Sequence, residues 1–325
     1  MADLSASGLA PRIARARAVV EAAPASGTAS IGDYIALLKP RVMSLVVFTG
    51  WAGLYLAPGH LNPVLAFTAV LCIAVAAGAA GAINMWYDRD IDAVMERTRD
   101  RPLPAGRMAP GNALGFGAVL AVGSVLMMGL ALNLVAAALL ALTIAFYVFI
   151  YTIWLKRRTP QNIVIGGAAG AFPPLVGWAA ATGQVALPSL ALFALIFFWT
   201  PPHFWALSLY RAGDYAKAGV PMLPVVAGAR ETKKQMLLYT LVLWPIALAP
   251  AFLGLAGTVY LAVAAVLSLL FTLAAIRVWQ EQQGDAAAKR MFGFSILYLF
   301  ALFAVMIADH APGMVGSVLS LAGGA

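Results

Sequence analysis

Apolar residues in this chain come in blocks of roughly 20, separated by short polar stretches, and roughly 20 apolar residues are what a helix needs to cross a ~30 Å hydrocarbon core. Backbone polar groups in lipid must be bonded within the segment, so helices rather than strands are expected. Nine spans follow, at residues 42–57, 63–86, 111–130, 133–154, 163–182, 188–209, 235–254, 257–277 and 290–308. The connections around Asn133 and from Gly254 to Gly257 are very short, which makes the helices they join antiparallel neighbours. The expected fold is an all-α integral membrane protein, a bundle of nine transmembrane helices.

Composition agrees with this. Of 325 residues, 62% are hydrophobic and 10% charged, where a soluble domain carries about 25% charged residues. Residues 1–30 are rich in Ala, Ser and Gly and read as a disordered cytosolic tail. Arg12, Arg15 and Arg17 would suit a transit peptide, but Asp3 and Glu21 count against one. No signal peptide is read, because the first long apolar run starts after Lys39-Pro40-Arg41. Residues 31–310 form the membrane domain in this reading, and 311–325 a short external tail. Cys72, the one cysteine, lies in an apolar run without partners at metal-ligand spacing and reads as either lipid-facing or core filler.

Charge supplies the orientation. All 21 Lys and Arg fall in the N-terminal segment, before span 1, or after spans 2, 4, 6 and 8. The alternate connections hold none. Under the positive-inside rule the N-terminus is cytoplasmic and, with nine spans, the C-terminus is outside. The net charge of +8 is therefore a surplus on one membrane face, suited to anionic lipid and anionic substrates rather than nucleic acid.

The strongest chemical signal follows span 2. Asn84, Asp88 and Asp92 are spaced i, i+4, i+8, on one face of a helix. Like charges at that spacing repel, so a cation is expected between them. Mg2+ takes one or two carboxylates together with substrate phosphates, and Asn84 can add a neutral oxygen. Arg97 and Arg101 follow one turn apart, with Arg99 and Arg107 nearby, and guanidinium forks suit phosphate oxygens. Carboxylates for a metal followed by guanidiniums for an anion is the layout of a metal–diphosphate site. Pro102 and Pro104 exclude a helix there, so the arginine segment is expected to be a partly ordered loop that closes over substrate. Arg89, Asp90, Glu96 and Asp100 lie off the stripe and suit a solvated face.

A second cluster follows span 6. His203, Tyr210 and Asp214 share one face at about 100° per residue, with Lys217 slightly off it. That register sets Asp214 and Lys217 at the cytoplasmic surface and His203 inside the bilayer, where an ionisable group points to function. His203 suits a base, a metal-centre ligand or a bonded core residue. Pro201 and Pro202 are expected to disrupt the helix just before it. His60 and His310 fall at the outer surface. Asn162 starts span 5 beside the basic run Lys156-Arg157-Arg158, within reach of a diphosphate, while Gly166, Gly167 and Gly170 suit close helix approach. Trp178, Trp199, Trp205, Tyr147 and Tyr151 suit either a planar ligand or core and interfacial packing.

Five stretches, Lys39–Val42, Asn84–Pro104, Asn162–Gly167, Thr200–Trp205 and Asp214–Pro224, resemble the UbiA superfamily of intramembrane prenyltransferases. Members carry Asn-x3-Asp-x3-Asp after the second helix, which Asn84, Asp88 and Asp92 match. Many also carry Asp-x3-Asp after span 6, where this chain reads Tyr210-x3-Asp214, as in the superfamily's haem-specific branch. The resemblance implies a nine-helix UbiA-type bundle in a bacterial inner membrane with its active site at the cytoplasmic face. It implies Mg2+ on Asp88, Asp92 and Asn84, and transfer of the farnesyl group of farnesyl diphosphate to a vinyl group of haem b. Asn84, Asp88, Asp92, His203, Tyr210 and Asp214 would be catalytic. Lys39, Arg41, Arg97, Arg101, Asn162 and Lys217 would hold the diphosphate. Hand-off of product to a haem A synthase and cytochrome oxidase assembly would follow. The rivals are a UbiA-type enzyme acting on an aromatic or quinone precursor and a polytopic anion transporter. A transporter places charges near the midplane between repeats; here they gather at one face.

Overall fold

The computed structural model of the protein describes residues 29–59 and 61–310. The expected external tail, nearly all of the expected cytosolic tail, and His60 therefore lie outside the described residues. Everything regular among the described residues is helical. In chain order the elements are α1 (Ile31–Leu37), α2 (Pro40–Tyr55), α3 (Pro63–Tyr87), α4 (Arg89–Val94), α5 (Pro110–Ala131) and α6 (Leu134–Ala145), which continues as a π-helix over Phe146–Leu155. They are followed by α7 (Asn162–Thr182), α8 (Leu187–Tyr210), α9 (Ala212–Lys217), α10 (Leu223–Val226), α11 (Gly228–Phe252), α12 (Thr258–Gln280) and α13 (Ala286–Ala308).

Eight helices are individually long and apolar enough to cross a membrane, and the α1–α2 pair, bent by 52° at its break, makes up to nine. The chain is a multi-span membrane protein. Most spans sit within a residue or three of the hydropathy blocks. The exceptions have physical causes. Span 4 changes its winding halfway, which uniform apolarity along residues 134–155 does not reveal. Helix α11 starts at Gly228 rather than 235, because Arg230, Lys233 and Lys234 leave the hydrocarbon without breaking the backbone ladder. Pro201 and Pro202 do not interrupt α8, which runs through both; neighbouring helices tolerate such breaks inside a bundle.

Successive spans pack side by side, and α13 closes back on α8 and α2, with the Phe48 and Phe300 rings 4.9 Å apart. Helix α7 is the most enclosed, touching α2, α6 and α8. Glycine makes that possible. A Cβ on Gly53 would stand 2.1 Å from the Pro174 carbonyl oxygen, and one on Gly177 would stand 2.0 Å from that of Gly50. The α2 and α7 backbones are thus in direct contact, the small-residue packing expected of membrane helices. Gly166 accommodates the Tyr151 ring in the same way, whereas a Cβ on Gly170 would meet open space. Cys72 is buried filler.

Gly177→Ala is expected to force α2 and α7 apart and destabilise the protein by about 1–3 kcal/mol, seen as a lower thermal midpoint in detergent. Gly170→Ala is the control and should leave the midpoint unchanged.

Candidate functional site

The first acidic segment is not one continuous helical stripe. Helix α3 ends at Tyr87, Asp88 adopts φ −87° and ψ 5°, and α4 begins at Arg89. The bond ladder nonetheless crosses the break, with Asp88 N donating to Asn84 O at 2.9 Å and Asp92 N to Asp88 O at 2.8 Å. The chain kinks rather than stops, and Asn84, Asp88, Asp90 and Asp92 are all buried, Asp88 completely. Asp90 therefore does not belong to a solvated face. Arg157 forks onto both its oxygens at 2.7 and 2.6 Å, because a carboxylate out of water needs a cation. Arg89 is half-buried and donates to the Trp86 carbonyl at 2.7 Å, while Glu96 and Asp100 are exposed as expected.

Four cations converge on this segment. Lys39 Nζ donates to Asn84 Oδ1 at 2.8 Å, from a residue whose left-handed backbone (φ 52°, ψ 52°) caps α2. That conformation is costly for a side chain with a Cβ; here it turns the ammonium onto Asn84. Asn84 Nδ2 donates to Asp88 Oδ2 at 2.7 Å and to Thr152 Oγ1 at 3.2 Å. Lys156 Nζ also donates to Asp88 Oδ2, Arg157 reaches Asp88 Oδ1 at 3.4 Å, and Arg101 donates to Asp92 Oδ2 at 2.6 Å.

Lys156 and Arg157 were not expected in the site. Their entry depends on the π-helix, where Thr152 Oγ1 donates to Tyr147 O at 2.8 Å and Lys156 N to Tyr151 O at 2.9 Å. Winding of the i→i+5 kind is rare and concentrates at functional positions. It aligns Thr152 and Lys156, one turn apart, with Asn84 and Asp88. The only sequence signal was a basic run directly after an apolar block. Burial alone would lower the Lys156 ammonium, but the charges of Asp88 and Asp92 and the bond to Asp88 outweigh it and raise it. Burial would raise the Asp90 carboxyl, and the Arg157 bond and charge more than reverse that. The same partners hold Arg157 above its ordinary value against burial.

The arginine loop is packed rather than free to close. Leu103 and Met108 are buried with Leu37 and Met85. Arg107 Nε donates to Asp33 Oδ1 at 2.8 Å, and Asp33 in turn completes the capping box of α1 with Ser30. Arg97 and Arg41 are exposed and join none of these contacts among the described residues.

The second cluster is likewise broken. Helix α8 ends at Tyr210, Arg211 (φ −113°, ψ 12°) turns the chain, and α9 carries Asp214 and Lys217. His203 and Asp214 are thus on separate helices, and His203 faces α13, where Nδ1 meets Ser295 Oγ at 2.6 Å. Tyr210 lies 6.3 Å from Phe292, ring to ring. Lys217 is exposed, while Asp214 is buried with Oδ2 lacking a hydrogen bond and Arg211 3.7 Å away. An apolar cluster of Ile91, Met95, Ile163, Tyr215 and Met222 packs α4, the start of α7 and α9 together, so the two acidic segments flank one floor. Asn162 is fully buried there. Its Nδ2 donates to Thr159 O at 2.6 Å and its Oδ1 has no partner; in this orientation the amide suits a cation or water rather than a phosphate oxygen. Trp178, Trp199 and Trp205 are buried in the core, and Tyr147 packs on Tyr151.

Among the described residues no three His, Cys, Asp or Glu side chains gather as a complete metal cage. Two buried carboxylates and an amide oxygen are instead the donor set of a Mg2+ site completed by phosphate oxygens. Asp88, Asp92 and Asn84 fit that description, while Asp214 Oδ2 has Arg211 as its nearest cation, at 3.7 Å.

Arg157→Ala and Asp90→Asn are each expected to cost about 1–3 kcal/mol, with a double-variant effect smaller than the sum of the two. The Asp90 carboxyl titrates below its ordinary value in the folded protein, so the pair's contribution is complete above about pH 4. It is lost as pH falls through the lowered value. Thermal melts in detergent from pH 7 to pH 3 check both.

The sequence pattern of the UbiA prenyltransferase family matches residues 45–307. A protoheme IX farnesyltransferase of Azorhizobium caulinodans is 63% identical over 280 residues, 85% of this chain and 91% of that protein. One of Parvibaculum lavamentivorans is 57% identical over 302 residues, 92% of this chain and 95% of that protein. Among solved structures, a digeranylgeranylglyceryl phosphate synthase superposes with a TM-score of 0.71 at 18% identity, covering 88% of this chain and 99% of its own. A UbiA homologue from Archaeoglobus fulgidus bound to DMAPP and Mg2+ gives 0.64 at 17%, covering 84% and 99%. At such identities the solved structures establish the fold alone.

Proposed function

The chain belongs to the UbiA prenyltransferase family, and from that premise we propose that it joins the farnesyl group of farnesyl diphosphate to a vinyl group of haem b. The observation that carries this is the 63% identity to a protoheme IX farnesyltransferase along 85% of the chain. The carbon–oxygen bond of the allylic diphosphate breaks with its electron pair leaving on diphosphate. The vinyl π electrons form the new carbon–carbon bond, and water adds to the resulting cation with loss of a proton, giving the hydroxyethylfarnesyl group of haem O.

The chain's own residues account for the parts of that reaction. Mg2+ held by Asp88, Asp92 and Asn84 would neutralise the diphosphate and improve it as a leaving group. Arg101, Lys156 and Lys39, now bonded to Asp92, Asp88 and Asn84, supply donors for charge that develops on the departing oxygens. Arg41, Arg97 and Lys217 stand exposed and favour arrival of a polyanion. The apolar spans take the farnesyl chain and keep bulk water from the allylic cation. His203, Tyr210 and Asp214 belong to the acceptor side, and Asn162 lies between the two acidic segments. The one-sided distribution of Lys and Arg supports a cytoplasmic active site in a bacterial inner membrane. The product's chemistry is that of a substrate for haem A synthase and for cytochrome oxidase assembly.

Membranes containing the protein, given farnesyl diphosphate with either haem b or 4-hydroxybenzoate, are expected to yield haem O and no prenylated benzoate. Conversion of the benzoate alone overturns the acceptor assignment. Asp88→Ala and Asp92→Ala should each lower turnover at least roughly 100-fold, the scale of losing a principal electrostatic contributor, with the protein still in the membrane fraction. Chelation with EDTA should stop the reaction and Mg2+ restore it; full activity after chelation would sink the metal assignment.

A further inference from the structure

His203 is clamped on three sides. Its ring stacks on Trp199, with centroids 4.3 Å and planes 17° apart, and on Phe292 of α13, at 4.7 Å and 23°. Its Nδ1 lies 2.6 Å from Ser295 Oγ. With the ring faces stacked and Nδ1 engaged, the edge left open on this half-buried residue carries Nε2. That nitrogen makes no hydrogen bond among the described residues.

Ser295 settles which ring nitrogen holds the proton. A serine hydroxyl has one hydrogen to give. The Ser295 Oγ lies 2.6 Å from the Phe292 carbonyl oxygen, which can only accept. Turning the hydroxyl toward Nδ1 would leave two oxygens facing each other across that distance with no hydrogen between them. One arrangement alone makes both short contacts hydrogen bonds: Nδ1–H donates to Ser295 Oγ, and Ser295 Oγ–H donates to Phe292 O. The Trp199 Nε1 donates to the Ser295 carbonyl at 2.9 Å, so the main chain of Ser295 is pinned as well. The neutral ring therefore keeps its lone pair on Nε2, where a hydrogen bond to the other nitrogen fixes ligand orientation in metal sites generally.

The surroundings favour giving that lone pair to a metal over taking up a proton. Trp199 and Phe292 stack on His203, Phe204 stands edge-on with ring centroids 6.2 Å apart, and Ser295 bonds its Nδ1. None of these is a carboxylate that would stabilise an imidazolium. We infer that Ser295 is a positioning residue that presents His203 Nε2 as an axial ligand to the iron of the metalloporphyrin acceptor. The inference rests on haem b being the acceptor.

The full-length protein in lipid nanodiscs is titrated with haem b, without farnesyl diphosphate, and its Soret and visible bands are recorded. Wild type gives a histidine-ligated spectrum. His203→Gly loses it and regains it when imidazole is added. Ser295→Ala binds haem b roughly tenfold more weakly, the scale of one lost hydrogen bond to a bound group, with a mixed spectrum. Ser295→Cys, close in volume but a poor acceptor, shows the same weaker binding and mixed spectrum and stands in if the alanine variant does not fold. Ser295→Thr keeps the wild-type spectrum. Unchanged affinity and spectrum in folded Ser295→Ala or Ser295→Cys overturn the inference, as does histidine ligation that survives His203→Gly. A wild type that converts haem b to product without a histidine-ligated spectrum overturns the inference alone. A wild type that neither binds nor converts haem b overturns the acceptor reading and the inference together.

Discussion

Asp88, Asp90 and Asp92 are three carboxylates at alternate positions, all removed from water. Leaving any of them unpaired would cost several kcal/mol. Their cations come from separate parts of the chain: Lys156 and Arg157 from the end of the π-helix, and Arg101 from the loop before α5, with Lys39 at the start of α2 reaching them through Asn84. Meeting the charge therefore assembles one end of the bundle. The pairing also leaves the site ready for a polyanion. Lys156, Arg101 and Arg157 are held largely out of water against the carboxylates, and charges fixed in this way need little reorganisation when they meet an anion.

The bundle is held in register by contacts of a different kind. Gly53 and Gly177 let α2 and α7 meet backbone to backbone. That crossing fixes the α2 start, and with it Lys39, relative to α7, whose first residue is Asn162. The apolar cluster around Ile91, Ile163 and Tyr215 then ties the two acidic segments to that same end of α7. Small residues toward the C-terminal ends of α2 and α7 and charged residues at the opposite ends act on one geometry.

Much of this was legible in the chain. Blocks of apolar residues broken by basic stretches located the spans, and Asn84, Asp88 and Asp92 announced themselves by spacing. What escaped were features that hydropathy and a fixed helical angle cannot register. A π-helix inside a uniformly apolar block leaves no periodic trace, so Lys156 and Arg157 stayed outside the expected site. Extrapolating 100° per residue through Arg211 joined His203 to Asp214, where the backbone in fact turns. Asp90 read as solvated because it lay off the stripe, although its burial depends on Arg157, 67 residues on. Ser295 was invisible for the same reason, its partner lying 92 residues earlier.

The π-helix has a further consequence, for how length can vary along the chain. Loops usually absorb insertions and deletions because they carry few packed contacts. Here the angular position of Lys156 and Arg157 is set inside a transmembrane segment, by the number of residues wound i→i+5 between Phe146 and Leu155. One residue more or fewer would rotate both cations off their carboxylates while leaving hydropathy and topology intact. This stretch behaves as a ruler rather than a spacer, and change within it is confined to substitution.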